Sequence, residues 1–219
     1  MVERGYDEVA DAYAALEADD VEWPRMRHLR ELLSQLPIGG DVLDVGCGNG
    51  VPEMVAIQER HNGVGVDVSA AQIDRAREKV PEARFIHGDM LGVSFDDASF
   101  DAIVSFYAIE HVPREEHGRL LKRFYRWLRP GGRLLFTLEA GGDEPGRTAE
   151  WLGVPMFFSY HDADATTTLL EHAGFVVERR EVESQLEGDR EIEYVWFHAR
   201  KSISREAETS HRPTTSRRP

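Results

Sequence analysis

The chain has 219 residues, enough for one well-buried domain, and a hydrophobic content of 41% excludes global disorder. The formal charge of −14 disfavours binding to nucleic acid through phosphate neutralisation. No stretch approaches the roughly 18 apolar residues of a membrane span, and the N-terminus lacks a signal-peptide pattern, so we expect a cytoplasmic protein without a membrane contact.

The first 40 residues show helical periodicity in two segments. Apolar side chains recur every three or four residues between positions 5 and 36, with a break at Asp19-Asp20. Pro24 suits the first turn of the second helix, and Gly39-Gly40 ends it. We expect residues 1–40 to form a helical lid packed on the rest of the chain.

Short apolar runs then alternate with helical segments. The runs that resemble buried strands lie at residues 41–45, 64–68, 84–87, 100–106 and 133–138. Helices are predicted to begin after Pro52, after Ser69 in a capping box with Gln72, and after Pro113. This alternation predicts a doubly wound parallel sheet with helices on both faces.

The C-terminal part has a different pattern. A long acidic, Gly-rich connection over residues 139–153 precedes a helix predicted at about 162–173. Two strand-like runs, 175–182 and 191–200, are joined by a short polar turn, which favours an antiparallel pair. The segment 202–219 has almost no apolar residues and predicts a disordered tail.

A glycine-rich turn, Asp44-Val45-Gly46-Cys47-Gly48-Asn49-Gly50, directly follows the first strand. Glycines let the backbone turn sharply and let a ligand approach main-chain amides, although the same turn could simply connect a strand to a helix. Asp67 ends the second strand, at the sheet edge where open α/β sheets bind ligands. A carboxylate there can accept hydrogen bonds from both ribose hydroxyls, so we expect a ligand that contains adenosine.

The turn does not match the pattern of nicotinamide dinucleotide sites. That pattern, G-x-G-x-x-G, would need a third glycine where this chain has Val51 or Glu53. The acidic Asp44 beside the turn opposes a pyrophosphate and suits a cationic ligand. A nicotinamide-dependent oxidoreductase is therefore the disfavoured alternative.

Four segments in order resemble the motifs of class I S-adenosylmethionine-dependent methyltransferases, at residues 42–50, 65–69, 85–90 and 128–134. The resemblance covers about residues 41–201, which we expect to form the S-adenosylmethionine-binding domain. It implies a Rossmann-like, seven-stranded, mostly parallel sheet with its last strand antiparallel. It also implies S-adenosylmethionine as the cofactor.

The resemblance assigns cofactor contacts to the ends of the strands. Gly46 and Gly48 would face the methionine part, and Asp44 would lie near its ammonium group. Asp67 would hold the ribose hydroxyls, and Asp89 would accept from the adenine amino group unless it merely caps a turn. The remaining contacts would come from Val68, Met90 and Phe106.

Methyl transfer from a sulfonium requires alignment of three atoms, and a general base helps when the acceptor is a hydroxyl. His111, just before the helix that Pro113 starts, is the first candidate base, with a purely structural role as its alternative. His161 is the second candidate. No histidine pair has the spacing of metal ligands with a partner carboxylate, so we expect no metal.

We expect the acceptor to lie between the N-terminal helices and the apolar segment 151–160. Candidate acceptor contacts are Tyr13, Tyr107, Phe157 and Tyr160. The sequence favours a small, partly apolar acceptor methylated on oxygen more than on nitrogen, by a monomer or homodimer. A catalytically inactive protein that binds the cofactor and acts through a partner is a further alternative.

Overall fold

A computed structural model of the protein describes residues 1–18, 24–187 and 190–203. No helix in this part of the chain is long and apolar enough to cross a bilayer. Most of the predicted tail, from residue 204 onward, lies outside the described residues, so its disorder stays a prediction.

The described residues form six helices, one 3-10 turn and nine strands. The helices are α1 (Val2–Ala18), α2 (Pro24–Ser34), α3 (Glu53–Gln58), α4 (Ala70–Lys79), α5 (Arg114–Trp127) and α6 (Ala163–Ala173), and the 3-10 turn is Ile109–His111. The strands are β1 (Asp41–Val45), β2 (Asn62–Asp67), β3 (Arg84–His87), β4 (Phe100–Ser105), β5 (Leu128–Glu139), β6 (Glu144–Trp151), β7 (Val154–Tyr160), β8 (Phe175–Glu187) and β9 (Arg190–Lys201).

Seven strands form the central sheet in the order β3-β2-β1-β4-β5-β9-β8. Strands β1 to β5 pair with one another in parallel, whereas β9 is antiparallel to both β5 and β8. This confirms the predicted doubly wound, mostly parallel sheet with its last strand antiparallel. Because the chain winds in opposite directions on the two sides of β1, a crevice opens at the carboxyl ends of β1 and β4.

The hydrophobic core lies on both faces of the sheet. On one face α2 contributes Leu29, α3 contributes Ile57 and α4 contributes Ile73, all fully buried. On the other face Phe124 of α5 and Leu170 of α6 are likewise fully buried. The helical periodicity in the sequence predicted these stripes because a helix that packs on a sheet buries one face.

The first helix lies over the sheet edge and is tied to α4. The Ser69 hydroxyl donates to Asp7 Oδ1 at 2.5 Å, and the Ala71 amide donates to the same oxygen at 3.2 Å. Ser69 also accepts from the Gln72 amide at 3.2 Å, as the predicted N-cap requires. Helix α1 thus lies against the start of α4, and its role as a lid stays a prediction, whereas α2 belongs to the core.

The prediction of a long connection over residues 139–153 was wrong for most of this segment, because residues 144–151 form β6. Strands β6 and β7 pair in an antiparallel hairpin that forms a separate two-stranded sheet. Its two-residue turn, Leu152 and Gly153, has positive φ at both positions (+50° and +85°), as a tight hairpin turn requires. Charged and small residues in β6 hid this strand in the sequence, because strands are recognised by β-branched and aromatic side chains.

The sequence predicts the fifth strand over residues 133–138. In the structure β5 begins at Leu128, directly after the helix. The pairing with β4 shifts register between Phe100 and Ala102, so residues 129–132 bulge out of the ladder. The bulge presents Arg129 to Asp41 and Asp101, and these ion pairs join the amino ends of β1 and β4 to β5.

Candidate cofactor and acceptor site

A cavity of about 430 Å³ lies at the carboxyl ends of β1, β2 and β4, with residues of α1 on one side. Its size is typical of a site for a small molecule. The structure places most of the predicted site residues on its wall: Gly46, Gly48, Asp67, Val68, Asp89, Met90, Phe106, Tyr107, His111 and Phe157.

The glycine-rich turn needs glycine at position 46 for two reasons. Gly46 has a φ of +82°, a conformation that residues other than glycine rarely adopt. A Cβ at this position would also lie 2.3 Å from the Cβ of Ala108, so any other residue would push the two loops apart. The amide of Gly46 donates to Val66 O at 2.7 Å, which fixes the turn against the end of β2.

Asp67 is held in place by the backbone. The Gly48 amide donates to Asp67 Oδ2 at 2.9 Å, and the Ser69 amide donates to Asp67 Oδ1 at 2.8 Å. Each carboxylate oxygen can accept a further bond, so two hydroxyl donors can be held side by side. Burial raises the pKa of Asp67, although the hydrogen bonds from the Ser69 and Gly48 amides oppose this shift because they favour the charged carboxylate.

Asp89 both caps a turn and lines the cavity. Its Oδ1 accepts from the Leu91 amide at 2.8 Å, and its carbonyl oxygen accepts from the Gly92 amide at 2.8 Å. Asp89 therefore does cap a turn, but it also lines the cavity. The second oxygen of the carboxylate leaves capacity for a donor from the cavity.

His111 connects α1, the 3-10 turn and the hairpin. Its Nδ1 lies 2.7 Å from the carbonyl oxygen of Phe157, so Nδ1 carries the ring proton and donates it. Nε2 then accepts from the Tyr6 hydroxyl at 2.9 Å. Burial lowers the pKa of His111 to about 4, so the ring is neutral at neutral pH.

A second, smaller cavity adjoins the first. Its volume is about 70 Å³, and it shares Tyr6, Tyr107 and His111 with the larger one. Its other walls combine charged and aromatic side chains: Glu110, Glu139, Arg147, Glu150, Trp151, Phe158, Arg190 and Tyr194. The two cavities therefore meet at a ring of two tyrosines and one histidine.

Tyr107 is held in a strained backbone conformation at this junction. Its φ is +52°, in the left-handed region that costs a residue with a side chain about 1–3 kcal/mol. Its amide donates to Thr137 Oγ1 at 2.9 Å, and its hydroxyl donates to Gln185 Oε1 at 2.8 Å. These bonds anchor the ring between the two cavities.

Known proteins share the sequence that builds this site. A family model for a methyltransferase domain matches residues 42–132. A protein of Mycolicibacterium smegmatis described as a probable S-adenosylmethionine-dependent methyltransferase is 31% identical over 169 residues, 74% of this chain and 62% of that protein. The 27-O-demethylrifamycin SV methyltransferase of Amycolatopsis mediterranei is 30% identical over 152 residues, 60% of this chain and 55% of that protein. Other relatives are tRNA and sterol methyltransferases.

The fold is shared as well. The crystal structure of an S-adenosylmethionine-dependent methyltransferase from Methanosarcina mazei aligns with a TM-score of 0.70 at 20% identity, over 84% of this chain and 99% of that one. The resemblance to the class I S-adenosylmethionine-dependent methyltransferases is therefore confirmed. The chain spans less than two thirds of the length of the two relatives described above. As predicted, the cofactor of this family is S-adenosylmethionine.

The protein also has a small cavity at the glycine-rich turn. Asp44, only 2% exposed, lines this space of about 20 Å³ together with Arg25 and Glu53, and does not line the larger cavity. The Nε of Arg25 lies 2.6 Å from Glu53 Oε1. Two carboxylates and one guanidinium suit a zwitterion, as the amino-acid end of S-adenosylmethionine is. No motif in the sequence indicated Arg25, which reaches this place from α2.

Two predicted residues are not brought to the cavities. His161 bonds the carbonyl oxygen of Arg114 at 3.2 Å and lies 3.6 Å from Asp143, so the structure does not support it as a base. Tyr160 is buried beside Arg147, and burial raises its pKa to about 12. The side chain of Tyr13 lies outside the described residues.

Proposed function

We propose that this methyltransferase transfers the methyl group of S-adenosylmethionine to an oxygen atom of a small-molecule acceptor. The observation that carries the proposal is the meeting of two cavities at Tyr6, Tyr107 and His111. The larger cavity has the glycine turn and Asp67 for the nucleoside. The smaller one is a polar chamber for the acceptor.

When bound, S-adenosylmethionine supplies a methyl group on a positively charged sulfur that an acceptor atom can displace in line. The contribution of the chain is to position the two reactants in a site closed to water. Asp67 and the glycine turn fix the nucleoside, and Tyr6 of α1 and Phe157 of β7 form another part of the cavity wall. The acceptor chamber lies across Tyr107 and His111 from the nucleoside.

The Tyr6–His111 pair suits an acceptor that loses a proton. Because the Tyr6 hydroxyl donates to His111 Nε2, its oxygen can accept a hydrogen bond from an acceptor hydroxyl. A proton can then pass to Tyr6 while the Tyr6 proton moves to His111. With a pKa of about 4, His111 is a weak base, which favours acidic hydroxyls such as phenols and enols over aliphatic alcohols.

The walls of the acceptor chamber favour a small molecule over a nucleic acid. The hairpin contributes Arg147, Trp151 and Phe158, which close the chamber to a volume of about 70 Å³. The formal charge of −14 also disfavours a polyanion at the surface. A cytoplasmic location and a monomeric or homodimeric state stay predictions.

The test is methyl transfer from labelled S-adenosylmethionine to a metabolite extract and, separately, to total RNA. We expect label in a low-molecular-weight phenol or enol and none in RNA. Tyr6→Phe removes only the hydroxyl, so it should lower turnover at least tenfold while changing the Kd for the cofactor less than threefold.

Tyr125→Phe is the matched control because the Tyr125 hydroxyl bonds Ser202 at 3.1 Å and lines neither cavity. Its turnover should equal that of the unmodified protein. Label in RNA, label on nitrogen, or full turnover in Tyr6→Phe would contradict the proposal.

A further inference from the structure

Two histidines from opposite ends of the chain meet between α2 and the β8–β9 pair. His28 of α2 is fully buried, and its Nδ1 lies 2.9 Å from Nε2 of His198 on β9. Glu181 of β8 places its Oε2 4.0 Å from the same Nδ1. The three atoms all lie within 4.8 Å of one another.

We propose that His28, Glu181 and His198 bind a divalent transition-metal ion, for which zinc is the best fit. Two imidazole nitrogens and one carboxylate oxygen are ligands that zinc takes at about 2.0–2.2 Å. Ligand atoms around a tetrahedral zinc ion are then about 3.3 Å apart. The two separations from His28 Nδ1, 2.9 and 4.0 Å, bracket this value, and the third is no more than 4.8 Å, so modest side-chain shifts bring the three atoms into place, with water as the fourth ligand.

The surroundings of His28 resemble the outer shell of a metal site. Its second nitrogen, Nε2, lies 3.2 Å from Oε1 of Glu183, so it donates its proton to a carboxylate. Ligating histidines usually make such a bond, which leaves the other nitrogen free to bind the ion. The ring is also stacked on Trp196, with centroids 4.2 Å apart, and this fixes its plane.

One residue opposes the ion. Nη2 of Arg179 lies 3.0 Å from Nε2 of His198, in the space that the ion would take. The same nitrogen donates to Glu31 Oε2 at 2.7 Å, and the side chain is 33% exposed. Its Nε also lies 3.7 Å from Oε2 of Glu181. To admit the ion, the guanidinium must keep Glu31 and withdraw from both His198 and Glu181. Its removal should tighten metal binding, because a positive charge close to the ion is lost.

The site would clamp a helix and would not take part in methyl transfer. None of His28, Glu181 and His198 lines the cofactor or acceptor cavity. Helix α2, however, carries Arg25 one turn before His28, and Arg25 lies beside the glycine-rich turn. A metal ion that ties α2 to β8 and β9 would hold Arg25 in place.

The experiment uses the full chain, stripped with a chelator and titrated with Co²⁺ while visible absorption is recorded, followed by competition with Zn²⁺. We expect one equivalent of Co²⁺ to give a visible band that Zn²⁺ abolishes, and Zn²⁺ to raise Tm. His198→Gln and Glu181→Gln should each weaken binding at least tenfold. Arg179→Gln should tighten it at least threefold.

His172→Gln, at an exposed position on α6, is the control for adventitious binding and should bind as the unmodified protein does. Circular dichroism of each stripped variant shows whether it is folded. The proposal is overturned if Co²⁺ gives no band, if His198→Gln binds as tightly as the unmodified protein, or if Arg179→Gln binds no more tightly. Because Arg179 is only partly buried, Arg179→Gln should fold and still tests the proposal if His198→Gln does not.

Discussion

Gly46 shows how a single residue determines the cofactor site. Gly46→Ala places a methyl group 2.3 Å from the Ala108 Cβ at a φ of +82°. The backbone conformation costs about 1–2 kcal/mol and the overlap about 1–3 kcal/mol more. Gly39→Ala is the matched control, because Gly39 has a φ of +74° and nothing within 4 Å.

We therefore expect urea unfolding to give a larger loss of stability for Gly46→Ala than for Gly39→Ala. Only Gly46→Ala should also weaken cofactor binding. Equal losses in the two variants would mean that the close approach to Ala108 is relieved at no cost, and that glycine is needed there for conformation alone.

Single residues were predictable where a short motif carries them. Gly46, Gly48 and Asp67 stand in local patterns, and the structure puts all three on the cavity wall. Arg25 was missed because its role depends on where α2 packs, which no neighbouring residue encodes. His161 was misplaced for the same reason: it follows an apolar run, but the hairpin turns it towards Arg114.

At the scale of elements, His117 joins the start of α5 to the 3-10 turn. Its Nε2 donates to the carbonyl oxygens of Ile109 and Val112, at 3.1 and 3.0 Å. Burial lowers the pKa of His117 to about 4. The hydrogen bonds to Val112 and Ile109 and the negative charge of Glu115 act in the opposite direction, whereas the charge of His161 lowers the pKa further.

This junction makes stability depend on pH. The unfolded chain binds a proton at His117 near pH 6.5, whereas the folded chain does so only near pH 4. Stability is therefore lost as the pH falls through this window, by up to about 3 kcal/mol for this one group. Denaturant unfolding from pH 7 to 4 measures it. His117→Gln should flatten the fall and His172→Gln should not; an unchanged slope in His117→Gln would contradict the prediction.

Helices and strands were predictable from the sequence where the spacing of apolar residues matches the face that each element buries. The buried parallel strands are continuous apolar runs, and the helices bury one stripe, so both have clear patterns. The hairpin of β6 and β7 has neither, because β6 is partly exposed along most of its length. Its existence depends on pairing with β7, which is a property of two segments together.

At the scale of the whole molecule, the doubly wound parallel sheet was predictable from the alternation of strands and helices. Parallel strands joined by helices have few allowed arrangements, and the motifs then locate the crevice beside β1. What connectivity did not reveal is contact between distant segments. His28 and His198 are 170 positions apart, so an expectation built on short ligand spacings could not include them.

The central claim is that the cavity of about 430 Å³ binds S-adenosylmethionine through the glycine turn and Asp67. Calorimetric titration with S-adenosylmethionine, S-adenosylhomocysteine and NAD tests it most directly. We predict binding of the first two and not of NAD. Asp67→Ala should weaken cofactor binding by about 1.5–3 kcal/mol, or roughly a 10- to 150-fold higher Kd. Asp74→Ala, at an exposed position, should leave the Kd unchanged. Binding of NAD alone, or unchanged affinity in Asp67→Ala, would contradict the account.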